Sequence, residues 1–312
     1  RFVQDSTSKG YHKKTVEIAS LKALGPYFNL RADRLYNSPD SELTLTEKGQ
    51  LSWGDCDIAK LSASGDPMSP SITAFVEEAA GMEVRKKVEK RLQHFLDRHI
   101  ATLFEPLFLM KNDENISGLI RGFVFRLIEN FGVVPRSEVF EEVKLLDQEA
   151  RGILRKYGVR FGQFTIFVPA LLKPAPTKLR LILWSLRENL KEIVPIPPAG
   201  LVTIPLEQPF HVGYDAMAGY RIGNDRAIRI DMLERLADLL RVKDTKVGFE
   251  ATVEMLSITG LTLEQFANLL VGLGYKAKKS ERSKIKIISN EEIKNKTESL
   301  ETNKTSQILE EK

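Results

Sequence analysis

One apolar stripe through residues 82–107 constrains the fold more than any other feature of the sequence. Apolar residues recur there every three or four positions for more than six turns: Val84, Val88, Leu92, Phe95, Leu96, Ile100, Leu103, Phe104 and Leu107. Basic residues fill the opposite side: Lys86, Lys87, Lys90 and Arg91. This spacing predicts a long amphipathic helix that buries one face against other elements. Pro106 is expected to kink or end it.

Further helices are predicted after this one. Their patterns cover 116–131, with Gly132 as the stop, and 136–157, with Gly158 as the stop. A fourth helix is expected to begin at Thr177, whose hydroxyl would cap it. Together these patterns predict a helical domain over 81–195.

Short alternating segments precede the helices and are typical of strands. Leu43 and Leu45 alternate with threonines, Leu51 and Trp53 follow a Lys-Gly turn, and 58–61 and 72–76 are two further apolar segments. We therefore expect a small antiparallel β-module over 34–80.

The remaining segments are less regular. Residues 1–33 are interpreted as a linker with one short helix at 16–24, and three prolines at 195–198 predict a second linker. Residues 196–277 predict a small α/β and helix-turn-helix-like domain, in which Thr262 and Gln265 form a capping box. Residues 278–312 predict a disordered Lys/Glu-rich tail.

The predicted fold class is thus α+β, mainly α-helical. The order is a small antiparallel β-module, then a helical domain, then a C-terminal winged-helix-like unit. The first residue is Arg1, without an apolar leader, which predicts that the chain starts inside a longer protein.

Composition narrows the class of protein further. Cys56 is the sole cysteine, and no apolar run approaches the ~20 residues that span a bilayer, so we expect a cytoplasmic location and no membrane partner. The net charge is +4, and residues 276–312 contribute ten Lys/Arg against seven Asp/Glu. The body is therefore almost neutral, and any nucleic-acid contact must be a local patch.

Known catalytic motifs are absent from the sequence. There is no G-x-x-x-x-G-K-[ST] loop, no G-x-S-x-G elbow and no H-E-x-x-H pair, and the four histidines lack zinc spacing. The G-x-G-x-x-A pattern at 272–277 follows a predicted helix rather than a strand, so we interpret its glycines as a helix end. We expect no catalytic residue, metal or cofactor in this chain.

Residues 151–178 combine cations with aromatic rings and contain no acidic residue. Cations that neutralise phosphates, beside rings on which bases stack, are typical of single-stranded RNA or DNA binding. The candidate binding residues are Arg151, Arg155, Lys156, Tyr157, Arg160, Phe161, Lys173 and Lys178. The alternative is that the rings belong to the core and the cations to its solvated rim.

The same region carries a family resemblance. The segment LLDQEARGILRKYGVRFGQFTIFVPALLKPAP at 145–176 resembles a stretch of alphaproteobacterial superfamily-two helicases related to the mitochondrial degradosome RNA helicase. Residues 99–108, 228–241 and 255–275 resemble the C-terminal region of that family as well. The likeness covers roughly 34–277.

The resemblance implies an accessory role. In that family two motor domains, which bind ATP and Mg²⁺, precede this region, and none of their motifs occurs here. The implied function is the non-catalytic C-terminal part of an ATP-dependent RNA helicase, which binds single-stranded RNA or DNA non-specifically and supports the motor. The alternative is a protein-interaction scaffold that docks a nuclease or another partner.

Overall fold

The structure, a computed structural model, describes residues 10–206, 211–243 and 247–279. Its N-terminal part consists of helices α1 (Gly10–Asn37), α2 (Gly81–Leu103), α3 (Glu105–Asn112) and α4 (Gly118–Glu129) and strands β1 (Leu43–Leu45), β2 (Gln50–Trp53), β3 (Cys56–Ser62) and β4 (Ser71–Ala74). The middle part consists of helices α5 (Phe140–Leu145), α6 (Gln148–Lys156) and α7 (Pro174–Arg187) and strands β5 (Val133–Pro135), β6 (Arg160–Phe161) and β7 (Thr165–Phe167). The C-terminal part consists of helices α8 (Tyr214–Ala218), α9 (Ile230–Arg241), α10 (Val253–Thr259) and α11 (Leu263–Gly272) and strands β8 (Thr203–Pro205), β9 (Tyr220–Ile222) and β10 (Arg226–Arg229). The predicted class, α+β and mainly helical, is confirmed.

The β-module forms as predicted. Strands β1 to β4 make one antiparallel sheet in sequence order, with Leu43 opposite Trp53 and Leu61 opposite Ile72. Leu51 and Ala59 face each other in this sheet and are fully buried. The period-two pattern was therefore sufficient to find the strands, because one face of this sheet packs on the core.

Two further antiparallel sheets have three strands each. Their orders are β5-β7-β6 and β8-β10-β9. All three residues of β7 are buried, whereas its partners β5 and β6 have only three and two residues and carry no detectable alternation. These short partners are specified by pairing with β7 rather than by their own pattern.

Two hydrophobic clusters lie beneath these elements. The larger cluster joins buried residues of the β-module, the helical segment and α8, from Ala32 to Ile230. The smaller one collects Ile228, Leu233, Leu236 and Phe266 with other residues of α9 to α11. The predicted winged-helix likeness of this C-terminal group and the predicted domain boundaries stay predictions.

The N-terminal segment differs from its expected form. The linker with a short helix at 16–24 was expected, but α1 is one continuous helix that contains Pro26. Ala32 and Leu35 near its C-terminus are buried in the larger cluster, and Asp33 pairs with Lys87 of α2. Packing against α2 supports this end of α1, where the sequence shows no sustained apolar period. Residues 1–9 and 280–312, which include most of the expected tail, lie outside the described residues.

The helix expected over 136–157 is in fact two helices. Helix α5 ends at Leu145, and Asp147 begins α6 as its N-cap, where its carboxylate accepts a hydrogen bond from the Ala150 N–H at 2.7 Å. The backbone of Asp147 is extended, with ψ near −178°, which breaks the helix. The sequence did not reveal this break, because Leu146, which connects α5 and α6, is buried and therefore continues the apolar pattern of the helices.

The cap expected at Thr177 is also wrong. Helix α7 begins at Pro174, and prolines suit the first turn of a helix, where an N–H has no acceptor. Thr177 lies inside the helix and is buried. Its hydroxyl donates to the Leu171 carbonyl at 3.4 Å and accepts from Nη2 of Arg180 at 3.2 Å.

Arg180 of α7 is the largest fully buried side chain in the described residues. Its Nε donates to the Met217 carbonyl at 2.5 Å and its Nη1 to the Leu171 carbonyl at 3.0 Å. No carboxylate in the described part of the chain pairs with it. Burial lowers the pKa of Arg180 to about 9, so the guanidinium stays charged at neutral pH. The side chain therefore joins α7 to the short 3-10 helix Pro169–Leu172 and to α8 through two backbone carbonyls, and the Thr177 hydroxyl accepts a third hydrogen bond within α7.

Among the described residues, the structure contains no helix with the length and apolar character needed to span a bilayer.

Replacing Arg180 with methionine should lower the free energy of unfolding by about 2–4 kcal/mol, because buried carbonyls lose charge-assisted hydrogen bonds. The loss is not larger, because the variant no longer has to bury a charged guanidinium away from water. Urea denaturation measures the free energy of unfolding of the variant and of the parent protein. The matched control is Arg235→Met on the exposed side of α9, which should change stability by less than about 0.5 kcal/mol. Equal unfolding midpoints for the two variants would refute this account of Arg180.

Candidate nucleic-acid interface

The basic-aromatic region is built from the end of α6 and the hairpin β6–β7. Helix α6 ends at Lys156, and Gly158 takes a φ of +85°, which lets the chain turn directly into β6. In the hairpin, Arg160 lies opposite Phe167 and Phe161 opposite Ile166. This turn places the last residues of α6 beside the short strand β6.

Three of the predicted cations form an exposed surface here, which we call the α6–β6 surface: Arg155, Lys156 and Arg160. None of the three forms an ion pair within the described residues. The guanidinium of Arg155 lies 5.8 Å from the ring centre of Phe161. Unpaired, exposed cations keep their full attraction for phosphates, because no neighbouring carboxylate neutralises them.

Phe161 is half-buried at the edge of this surface. Its ring stacks on Phe123 of α4, with ring centres 6.0 Å apart and an angle of 21° between the ring planes. Phe167, in contrast, is fully enclosed in the core. Phe167 therefore belongs to the core, whereas Phe161 has one contact with the core and one with an exposed arginine.

The side chains of two of the predicted residues form hydrogen bonds within the protein. Arg151 is half-buried, and its Nη2 donates to the Val143 carbonyl at 2.7 Å. The Tyr157 hydroxyl donates to the carboxylate of Asp113, and this hydrogen bond lowers the pKa of Asp113. A carboxylate at this position repels phosphate, so Tyr157 is poorly placed as a stacking platform for a nucleic acid.

The last two predicted residues lie in a separate pocket. Lys173 precedes α7 and is exposed, and Lys178 lies one turn into the helix and is half-buried. Both line a cavity of about 590 Å³ to which no residue of the α6–β6 surface contributes. The eight residues of the prediction therefore fall into a surface, a pocket and two internal contacts.

Sequence reasoning missed a residue that positions the hairpin. The Glu234 carboxylate of α9 accepts hydrogen bonds from the backbone N–H groups of Gln163, Phe164 and Thr165 at 2.5–2.9 Å. Burial raises the pKa of Glu234, while these three donors act in the opposite direction. A Cβ on Gly162 would lie 2.2 Å from the Glu234 carboxyl carbon, so this close approach requires glycine. No sequence signal links two positions about seventy residues apart.

Comparison with known proteins adds no relative to this picture. No family model, no curated protein and no solved structure matches the chain. The likeness to helicases therefore stays a prediction from the sequence.

The pKa of His99 in α2 depends on the positive charge of Lys178. Its ring stacks on Phe95, with centres 5.6 Å apart, and is half-buried. Burial lowers the pKa of His99 below its ordinary value of 6.5, and the positive charge of Lys178 lowers it further.

We expect Lys178→Gln to raise the pKa of His99 towards 6.5, as measured by NMR titration of the imidazole. Lys173→Gln is the matched control and should leave that pKa unchanged. Because the folded protein binds this proton less readily than the unfolded chain, His99 should reduce stability as the pH falls through 6.5. A His99 pKa at or above 6.5 in the parent protein would contradict this assignment.

Proposed function

We propose that this chain is the non-catalytic C-terminal part of an ATP-dependent RNA helicase. Its role is to bind single-stranded nucleic acid non-specifically and to support a motor that lies N-terminal to it. The observation that carries the proposal is the α6–β6 surface, where three exposed cations form no ion pair within the described residues and one of them, Arg155, lies over the half-buried ring of Phe161. The sequence likeness at 145–176 coincides with this surface and supports the same function.

The chemistry of the α6–β6 surface suits binding to the sugar-phosphate backbone of a nucleic acid. Cations that displace counterions from phosphates give affinity without reading the base sequence. The half-buried ring of Phe161 is an aromatic group of the kind on which bases stack without sequence preference. Because the surface has few cations, its affinity for nucleic acid is low. Low affinity suits a nucleic-acid strand that moves past the protein.

The proposal predicts salt-dependent binding that depends on two arginines. Fluorescence anisotropy with a labelled single-stranded RNA should show affinity that falls as salt rises. The double variant Arg155→Gln/Arg160→Gln should bind more weakly, and its log–log salt slope should be shallower by about 1.4, or about 0.7 for each lost phosphate contact.

A matched control lies on the β-module. Lys48→Gln/Lys60→Gln removes two exposed cations from a different part of the chain and should leave both affinity and slope unchanged. If the two double variants behaved alike, or if the arginine variant bound like the parent, the α6–β6 surface would not be the binding site.

A second candidate function is a protein-docking scaffold. Helices α4 and α5 are joined by an ion pair between Arg126 and Glu142 at 3.6 Å, and both expose large apolar side chains. These side chains are Leu119, Phe125, Phe140 and Leu145, each between 48% and 65% exposed. Exposed apolar residues on neighbouring helices favour a protein partner over a nucleic acid.

The scaffold alternative predicts a different salt response. A complex with a nuclease partner that persists at high salt and is weakened by Phe125→Ser, as measured by co-sedimentation, would favour docking. Loss of that complex at high salt, together with retention of RNA at low salt, would favour the nucleic-acid function instead.

A further inference from the structure

A second site lies in the pocket at the start of α7. The cavity has a volume of about 590 Å³, within the range of about 300–1,000 Å³ that is typical of small-molecule sites. It is an open cleft lined by the β1–β2 turn, the first turn of α7, the proline-rich segment 196–200 and the sheet that contains β9 and β10. Much of its wall is apolar and rigid: Pro169, Leu172, Pro174, Ile196, Pro197, Pro198 and Tyr220.

The charges that line this pocket have an excess of uncompensated cations. Arg229 and Asp231 neutralise each other through two hydrogen bonds of 2.6 and 3.0 Å. Lys173 and Lys178 have no ion-pair partner within the described residues. The exposed Glu47 of the β1–β2 turn is the sole unpaired carboxylate in the lining.

A third positive charge lies directly behind the wall. Nη2 of Arg180 is 3.2 Å from the Thr177 hydroxyl and 3.4 Å from the place that a Cβ on Gly219 would occupy. Both Thr177 and Gly219 line the pocket. Because Arg180 is fully buried and has no carboxylate partner in the described residues, its charge is weakly screened and attracts an anion in the cavity.

The end of α7 adds to this attraction without supplying many donors. The positive end of the helix dipole points at the pocket from a helix of 14 residues. Pro174 and Pro176 have no N–H group, so among the first three residues Ala175 alone can donate. Recognition of an anion here therefore depends mainly on the lysine ammonium groups.

We propose that this pocket binds a phosphate group carried on a compact apolar or aromatic body. Lys173 and Lys178 contact the phosphate, and the proline and tyrosine wall contacts the attached group. A nucleoside monophosphate has this chemistry. The assignment is independent of the α6–β6 surface, because the two sites share no residue.

Calorimetric titration of the full chain at constant ionic strength tests the site with three probes: inorganic phosphate, AMP and adenosine. Phosphate and AMP should bind, AMP the more tightly because it also contacts the wall, and adenosine should not bind at the same concentrations. Lys173→Gln/Lys178→Gln should weaken AMP binding by about tenfold or more. Glu47→Gln should strengthen it severalfold, because a repulsive carboxylate is removed.

The matched control is Arg155→Gln/Arg160→Gln, which should bind AMP like the parent even where it loses RNA. All the substituted side chains are exposed or half-buried, and circular dichroism of each variant is to be recorded as the test of its folding. Adenosine that binds as tightly as AMP, AMP affinity that is unchanged in the double lysine variant, or no binding of either phosphate compound would overturn the proposal.

Discussion

The guanidinium of Arg180 is a positive charge in the interior of this protein, and three surrounding oxygen atoms accept its hydrogen bonds. Carbonyl oxygens of Leu171 and Met217 and the Thr177 hydroxyl accept its hydrogen bonds. Leu171 belongs to the 3-10 helix, Thr177 to α7 and Met217 to α8, so the side chain fixes the start of α7 against both the preceding 3-10 helix and α8. A lysine could not replace it, because a single ammonium group lacks the planar array of donors that reaches all three acceptors.

Glu234 makes a second polar connection of the same type with opposite charge. Its carboxylate accepts three backbone N–H groups at the tip of the β6–β7 hairpin, and thereby ties α9 to the hairpin that carries Arg160 and Phe161. Both connections join a charged side chain, buried in Arg180 and half-buried in Glu234, mainly to backbone groups rather than to an opposite charge. Backbone dipoles can compensate a buried charge without creating an ion pair, and they leave the net charge of the neighbourhood unchanged. That is the reason the pocket above Arg180 keeps a positive field.

The two candidate sites consequently differ in what supports them. The α6–β6 surface consists of exposed side chains on short elements, and its three cations form no ion pair within the described residues. The pocket is lined by proline-rich backbone, and a charge that water does not reach, that of Arg180, lies behind its wall. A strand of nucleic acid suits the first arrangement, and a small phosphorylated group suits the second.

Periodic patterns in the sequence predicted the elements whose periodicity reflects burial. The β1–β4 sheet, the amphipathic helix from 82, its break near Pro106 and the capping box at Thr262 and Gln265 all appear in the structure. The sequence predictions were wrong where contacts elsewhere in the structure outweighed a local sequence pattern. Asp147 starts a new helix within an unbroken apolar period, and Thr177 is used by Arg180 rather than as a cap.

By itself, the sequence determined the fold class, most of the helices and strands, and the region in which cations and rings accumulate. Only the tertiary structure decided which members of that region share a site. Composition places Arg151 and Arg155 in one cluster, yet the first donates to a backbone carbonyl and the second is exposed beside Phe161. The physical reason is that hydrogen-bond partners and burial depend on contacts between distant parts of the chain, such as Arg180 with Met217 and Glu234 with the hairpin, which no local pattern encodes.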